Sequence, residues 1–528
     1  MLRAESAEST GRIEERILAH EGLDEVYLQF LRSVAHPYFI IMLSYTILVP
    51  LTFLGSVLLI VQWLWLRTPK LRLPPGPKSV PILGNINDLP PKGGRDWEFW
   101  YQHKQLYGPV SSVTVCGWAH VVSLLSSGHR LRASRKHFHS VMGTQQNLAR
   151  FLPLQEAESY RLLHRMLKEP HGFLKHVRTE VGSIILKLAY GYTAATDQPD
   201  PLIELSDLTH RQVGIAAQPG AWAVDFIPAL RYVPEWFPGA NFQRTAKEFR
   251  AKIMEAIYRP AKFVEHEMER GMHEPSFLSV LHEQAGEKLS AEEQDIATYS
   301  AHALYGGASD TTVSTLSTFF LMMVSHPEIQ HKAQAEVDSV VGKARLPGIE
   351  HRDRLPYLQA VIKEVLRFHP AAPTGLPHLM ATDATCAGYD IPKGATVIAN
   401  LWGIGRDTSI YSDPNLFRPE RFLGDRPELD SRTWVFGFGR RACPGKLLAE
   451  QTIFLTISRV LAVFDISKMD AEEGPAVCFE PGVVSQPEPF RASIKARSPE
   501  CERLVECAEK MCPLRHSSAD TLRGITSW

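Results

Sequence analysis

The chain has 528 residues, enough for one large domain or two to three ordinary ones. Apolar residues make up 44% and charged residues 22%, with a net charge of −1, a balance that excludes a disordered chain and gives no basic excess for nucleic acid. The cysteines (Cys116, Cys386, Cys443, Cys478, Cys501, Cys507 and Cys512) are odd in number and scattered, which argues against a disulfide framework and for a reducing compartment.

In residues 1–36 acidic side chains (Glu5, Glu8, Glu14, Glu15, Glu21, Asp24, Glu25) outnumber the arginines Arg3, Arg12, Arg16 and Arg32. From Pro37 to Leu66 there is no charged residue, where about 20 apolar residues suffice to cross a bilayer. Trp63 and Trp65 then precede Arg67, Lys70 and Arg72, an aromatic and basic edge suited to a cytoplasmic interface. The pattern predicts a transmembrane helix over 37–66, a lumenal extension over 1–36, and everything after Leu66 in the cytosol. A buried core helix is the competing reading of the same run.

Leu73-Pro74-Pro75-Gly76-Pro77 follows as a stiff turn that cannot continue a helix. Val110–Val115 and Ala119–Leu125 read as a short β-hairpin around Cys116-Gly117-Trp118. From about 130 to 370 the pattern is mostly helical. One long helix opens with Ser290 and Glu293, spaced as a capping box, and runs to Ser325 ahead of Pro327. Another starts near Pro356, carries Leu358, Val361, Ile362, Val365 and Leu366 on one stripe, and ends before Pro370. Short strands and turns take over from Cys386 to about Asn400, and helix returns over Pro444–Leu461. Cys501, Cys507 and Cys512 lack the paired spacing of a zinc site, and 499–528 reads as a loosely ordered tail.

The sharpest chemical signal is Phe436-Gly437-Phe438-Gly439-Arg440-Arg441-Ala442-Cys443-Pro444-Gly445. Its glycines allow a tight loop with a side-chain-free approach to a flat object, and Cys443 lies where a helix N-terminus favours a thiolate. A buried structural cysteine in a glycine-rich turn is the bland alternative. The segment closely resembles the haem-binding loop of the cytochrome P450 family, F-x-x-G-x-R-x-C-x-G. Phe436, Gly439, Arg441, Cys443 and Gly445 fill every specified position.

The resemblance covers roughly Lys70 to Ser498 and implies a mainly α fold with a smaller β region, the haem domain occupying 67–498. It implies haem b held by an axial Cys443 thiolate, with Arg441 beside a propionate. Glu364 and Arg367, three apart on one helix face, look like an exposed ion pair when taken alone. With Arg421 in Phe417-Arg418-Pro419-Glu420-Arg421-Phe422 they resemble the family's structural Glu-Arg-Arg network. Gly306-Gly307-Ala308-Ser309-Asp310-Thr311-Thr312 is poor helix-interior sequence; a contact between helices needing small residues would explain it, and so would a helix opening over a ligand. It resembles the family's oxygen-activation motif, with Asp310 and Thr311 delivering protons. Ala308 stands where the family usually has glycine. Arg135 and His378 fall where related fungal sequences place propionate partners, although Leu131 replaces the tryptophan expected four residues before Arg135.

Between Leu125 and Leu131 several tens of residues are missing relative to the family pattern, the B helix and the loop over the pocket. The expected activity is a monooxygenase inserting one oxygen atom from O2 into an apolar small molecule. Electrons would come from an NADPH-dependent P450 reductase, at the endoplasmic reticulum membrane and with no nucleic acid partner. Segments from Asp225-Phe226-Ile227-Pro228 to Phe237-Pro238-Gly239-Ala240 resemble fungal enzymes of the O-methylsterigmatocystin oxidoreductase type, which points to secondary metabolism. A haem-binding membrane protein without turnover, and a reductase-independent isomerase or dehydratase, are the rival readings.

Overall fold

The computed structural model describes residues 51–52, 55–56, 71–78, 85–91, 93–113, 128–195, 198–217, 222–285, 289–469, 475–511 and 516–525. The chain divides into two units, Met1–Arg72 and Leu73–Trp528. Apart from residues 51–52 and 55–56, the expected span 37–66 lies outside the described residues, as do residues 114–127 with most of the expected hairpin. Among the described residues no helix is long and apolar enough to cross a membrane.

The second unit is mainly helical with small sheets, as expected. Its helices relevant here are α1 (Asp96–Tyr107), α2 (His129–Met142), α3 (Leu152–Lys168), α4 (Phe173–Tyr190), α5 (Pro201–Ala216), α6 (Asn241–Glu269), α7 (Phe277–Ala285) and α8 (Ala291–Ser325). After these come α9 (Pro327–Val341) and α10 (Pro356–Phe368). The strands β1 (His378–Leu379), β2 (Ala384–Cys386), β3 (Tyr389–Ile391) and β4 (Thr396–Val397) lie between α10 and α11 (Lys446–Val463). Then follow β5 (Phe464–Ser467), β6 (Ser493–Ala496), α12 (Pro499–Met511) and α13 (Ala519–Gly524).

Helix α8 is the axis of the unit. Ser290 Oγ accepts from the Glu293 amide and the Glu293 carboxylate accepts from the Ser290 amide, so the expected capping box starts it. Its 35 residues span about 52 Å at the usual helical rise. From Val313 to Val324 every residue is buried, the signature of a helix surrounded on all sides. Helix α4 packs along it, with Phe173 and Phe320 at 5.1 Å between ring centroids. Gly191, at φ +69°, ends α4 in the left-handed region that glycine adopts without strain.

Helix α10 carries the expected stripe: Leu358, Val361, Ile362, Val365 and Leu366 are all buried. Pro356 takes its first turn, and the Glu336 carboxylate of α9 accepts from the Tyr357 and Leu358 amides at 2.8 and 2.9 Å. An anion there satisfies orphan donors at the positive end of the helix. The sheets are three antiparallel pairs, β1–β4, β2–β3 and β5–β6. Ala387 and Gly388 both have positive φ, the two-residue turn that closes the β2–β3 hairpin.

The C-terminal tail is not loosely ordered as expected. Residues 499–511 form α12, with Cys501, Val505 and Ala508 buried at helical spacing against the core. Ser518 donates its amide to the Thr193 carbonyl, and Ala519 and Leu522 of α13 are buried. The polar residues between these positions had masked a short amphipathic repeat.

Candidate active site

The Cys443 loop is folded by its own backbone. Cys443 N–H donates to the Phe436 carbonyl at 2.7 Å, while Gly437 and Gly439 sit at φ +76° and +54°. These conformations let the loop turn twice without a Cβ in the bend. Pro444 and Gly445 then lead into α11, whose first residue is Lys446. The Cys443 thiol is free, and the residue is exposed. Burial pushes the free thiol up, while the Gly445 amide, Arg135 and Lys446 pull it the other way.

Arg135 reaches this loop from α2, donating from both Nη atoms to the Ala442 carbonyl at 3.2 and 3.1 Å. Lys446 sits 5.5 Å from the Phe436 ring centroid. A cavity of about 190 Å³ opens against the thiol, lined by Arg135, Phe138, Cys443, Pro444, Lys446 and Leu447. Arg441 is half-buried beside Ala442. His378 is exposed on β1, opposite Val397, and Leu376, Leu379, Val397 and Ile398 are uncovered with it. An accessible sulfur, an amide donor to it, two nearby cations and a loop bare of Cβ at its bends fit a haem-thiolate site.

The glycine-rich motif leaves α8 helical throughout. Thr311 Oγ donates to the Gly307 carbonyl at 2.9 Å, and a Cβ at Gly307 would meet nothing within 4 Å. Ala308 is half-buried against the core, so its methyl group faces packed neighbours and Gly307 supplies the open surface. Asp310 is held by side chains from two other helices. Arg178 of α4 donates through Nη1 to Asp310 Oδ1 at 2.9 Å and to Asp207 Oδ1 of α5 at 2.7 Å. His210 of α5 places Nδ1 3.2 Å from Asp310 Oδ2 and Nε2 2.9 Å from the Gly306 carbonyl. Burial opposes the charge on Arg178, yet Asp207 and Asp310 outweigh it and hold the guanidinium above its ordinary value. Burial pushes Asp207 up despite Arg178.

Glu364, Arg367 and Arg421 form a fully buried network rather than an exposed pair. Arg367 binds Glu364 through Nε and Nη2 at 2.7 and 2.8 Å, and Arg421 Nε adds a third bond at 3.1 Å. The remaining guanidinium donors go to the Gly405, Pro414, Leu416 and Ser412 carbonyls and to Glu428. Thus the network ties α10 to the long connection running toward the Cys443 loop. Sequence reasoning missed Arg178, Asp207, His210 and Lys446. For His210 a local signal existed, the i, i+4 pairing with Ser206 on one face of α5.

A sequence model of the family described as Cytochrome P450 matches residues 117–494, well over half of the chain. The chain belongs to the cytochrome P450 family. It is 40% identical to cytochrome P450 monooxygenase ppsD of Aspergillus oryzae, over 86% of this chain and 94% of that protein. It is 41% identical to cytochrome P450 monooxygenase claR of Ampulloclitocybe clavipes, over 82% of this chain and 88% of that one. O-methylsterigmatocystin oxidoreductase of Aspergillus flavus is 36% identical over 85% of this chain and 92% of its own length. This P450 is therefore a monooxygenase of the haem-thiolate class. The alignment with ppsD runs over 499 positions but takes up 86% of the 528 residues, about 454, leaving about 45 positions as gaps in this chain.

Proposed function

We propose that Cys443 is the axial thiolate of haem b and that Asp310 and Thr311 deliver protons for insertion of one oxygen atom into an apolar small molecule of fungal secondary metabolism. Haem held by a thiolate supplies the oxygen chemistry, RH + O2 + two electrons + two protons giving ROH and water, with sulfur electron density favouring O–O cleavage. The chain's own residues do the rest. The Gly445 amide and the positive charges of Arg135 and Lys446 favour the anionic sulfur. Arg441 and Arg135 carry the charge to pair with propionates, and His378, exposed on β1, is a third candidate partner. The Thr311 hydroxyl, hydrogen-bonded to the Gly307 carbonyl, is oriented by its own helix, and Asp310, the preceding residue, is held by Arg178 and His210. Uncovered Leu376, Leu379, Val397 and Ile398 offer an apolar surface that favours an apolar ligand.

The observation that carries this reading is the exposed Cys443 in its glycine-bent loop, with the Gly445 amide on its sulfur and Arg135 reaching across from α2. Electrons would come from an NADPH-dependent reductase. Residues 37–66, free of charge, would anchor the chain in the endoplasmic reticulum membrane with 67–498 in the cytosol. Relatives named monooxygenases favour the same assignment. With reductase, NADPH and a substrate, Thr311→Ala should divert consumed O2 from product to peroxide while the reduced–CO absorbance stays normal. Unchanged product per NADPH would remove Thr311 from proton delivery.

A further inference from the structure

We propose that His369 is a positioning residue for substrate choice: through Ser485 it pins the turn Gly482-Val483-Val484 against α8, where the turn limits how far a ligand can extend. The inference rests on the assignment of the Thr311 face of α8 to the reaction. Ser485 is fully buried, and each of its polar atoms is engaged. Its amide donates to the Ala371 carbonyl at 2.9 Å, just past α10, and its carbonyl accepts from Ser314 Oγ of α8 at 2.5 Å. Its hydroxyl donates to the Glu480 carbonyl at 2.8 Å and lies 2.8 Å from His369 Nε2. The Glu480 amide donates to the Gln486 carbonyl at 2.8 Å and closes the turn. Gly482, Val483 and Val484 make no hydrogen bond of their own among the described residues, so the tip takes its place from Ser485.

The direction of the His369 bond follows from the hydrogens present. A hydroxyl has one hydrogen, and the Glu480 carbonyl, which can only accept, takes it. The hydrogen between His369 and Ser485 therefore sits on Nε2. That leaves Nδ1 as a bare acceptor, buried with no partner among the described residues. Burial holds the ring neutral, and the nearby charges of Arg406 and Arg95 act the same way. The ring stacks on Phe479 at 3.5 Å between centroids and stands edge-to-face with Trp97 at 5.7 Å. A phenyl ring would fill that slot without an orphan acceptor, whose burial is costly. What the imidazole adds is the Nε2 donor to Ser485.

The pattern of exposure on α8 gives this bond its consequence. Ala303 and Gly307 are exposed and Thr311 is half-buried, four residues apart on one stripe. Three residues further on, Ser314 is fully buried and bonded to Ser485. The turn therefore ends the open stripe, and half-buried Val483 and Val484 make its end wall apolar. Without the Nε2 donor one of the four ties on Ser485 is gone, and the wall can yield to a longer ligand. The Cys443 loop, which is folded by its own backbone, is untouched by that change.

The test uses the haem-loaded protein with two probes, 1-phenylimidazole and the longer 1-(4-biphenylyl)imidazole, whose binding is read from the haem absorbance. In His369→Phe, which keeps the ring but not the donor, the ratio of the two dissociation constants should shift at least threefold toward the longer probe. Deuterium exchange of the amides at 480 and 485 should quicken at least tenfold. His369→Gln, which restores an N–H toward Ser485, should return both readings to within twofold of the unaltered chain. Ser485→Ala should repeat the effect of His369→Phe, and it carries the test alone if the phenylalanine variant does not fold. The double variant should exchange no faster than Ser485→Ala, because His369 acts only through that residue. An unchanged ratio, with or without faster exchange, would overturn the proposal, as would a glutamine variant no better than phenylalanine. Failure of the underlying assignment looks different. Gly307→Phe, at a position where a Cβ meets nothing within 4 Å, should weaken both probes at least tenfold, and no effect there would remove this face of α8 from the reaction.

Discussion

Glu180 shows how a single buried acid sets the pH response of the fold. It lies fully buried on α4, accepts from the Thr456 hydroxyl of α11 at 2.8 Å, and is pushed by burial up to about 8. Thr456 and Arg165 pull the other way without reversing the shift. At neutral pH the side chain is therefore protonated in the folded chain and ionised in the unfolded one. Between the ordinary value of 4.5 and about 8, the folded state binds more protons, so stability falls as pH rises. Glu180→Gln keeps an acceptor for Thr456 and removes this titration. The variant should gain on the order of 3 kcal/mol relative to the unaltered chain between pH 5.5 and 8. Thermal midpoints of both proteins across that range check it, and parallel profiles would contradict it. None of this is legible in the sequence, where Glu180 stands in Arg178-Thr179-Glu180-Val181 like any surface acid of a helix.

At the scale of elements, helix α10 is held by charge as much as by its apolar stripe. Glu364 lies at 0% exposure between Arg367 and Arg421, and it also accepts from the Arg418 amide at 2.7 Å. Removing the anion leaves two buried cations facing each other, a change that typically costs about 3–5 kcal/mol. Glu364→Ala should therefore lower the melting temperature steeply and cut the yield of folded, pigmented protein. A double change of Glu364 and Arg421 to Ala should be less harmful than the sum of the two single changes. Additivity, measured by thermal unfolding, would show the bonds to be energetically idle. The helices α8 and α10 were readable because their signals are local: a capping box at Ser290, a proline at the first turn, and apolar residues three and four apart. Burial of the Glu364 pair was not readable from spacing, because its partners arrive from residues 405–428, and only the resemblance supplied it. The Asp310 cluster follows the same logic, since Arg178 and His210 come from helices more than 90 residues away in the chain. Residues 499–511 were misread for the opposite reason. Their repeat of Cys501, Val505 and Ala508 is so sparse that the stripe is visible only once it is seen packed.

For the whole molecule, the order of signals along the chain was more informative than any one of them. The long helix, the Glu364 helix, the Arg421 segment and the Cys443 loop occur in the family's order, and the fold brings Arg135 of α2 to the same loop. About 45 alignment positions of ppsD face gaps here. The whole account still turns on one atom, the Cys443 sulfur. The direct test is the absorbance of purified, reduced, CO-treated protein, compared between the unaltered chain and Cys443→Ser, with haem content measured on both. The account predicts a thiolate-type CO band in the first and its loss in the second, while helical content stays the same. A variant that kept both its haem and that band would contradict it.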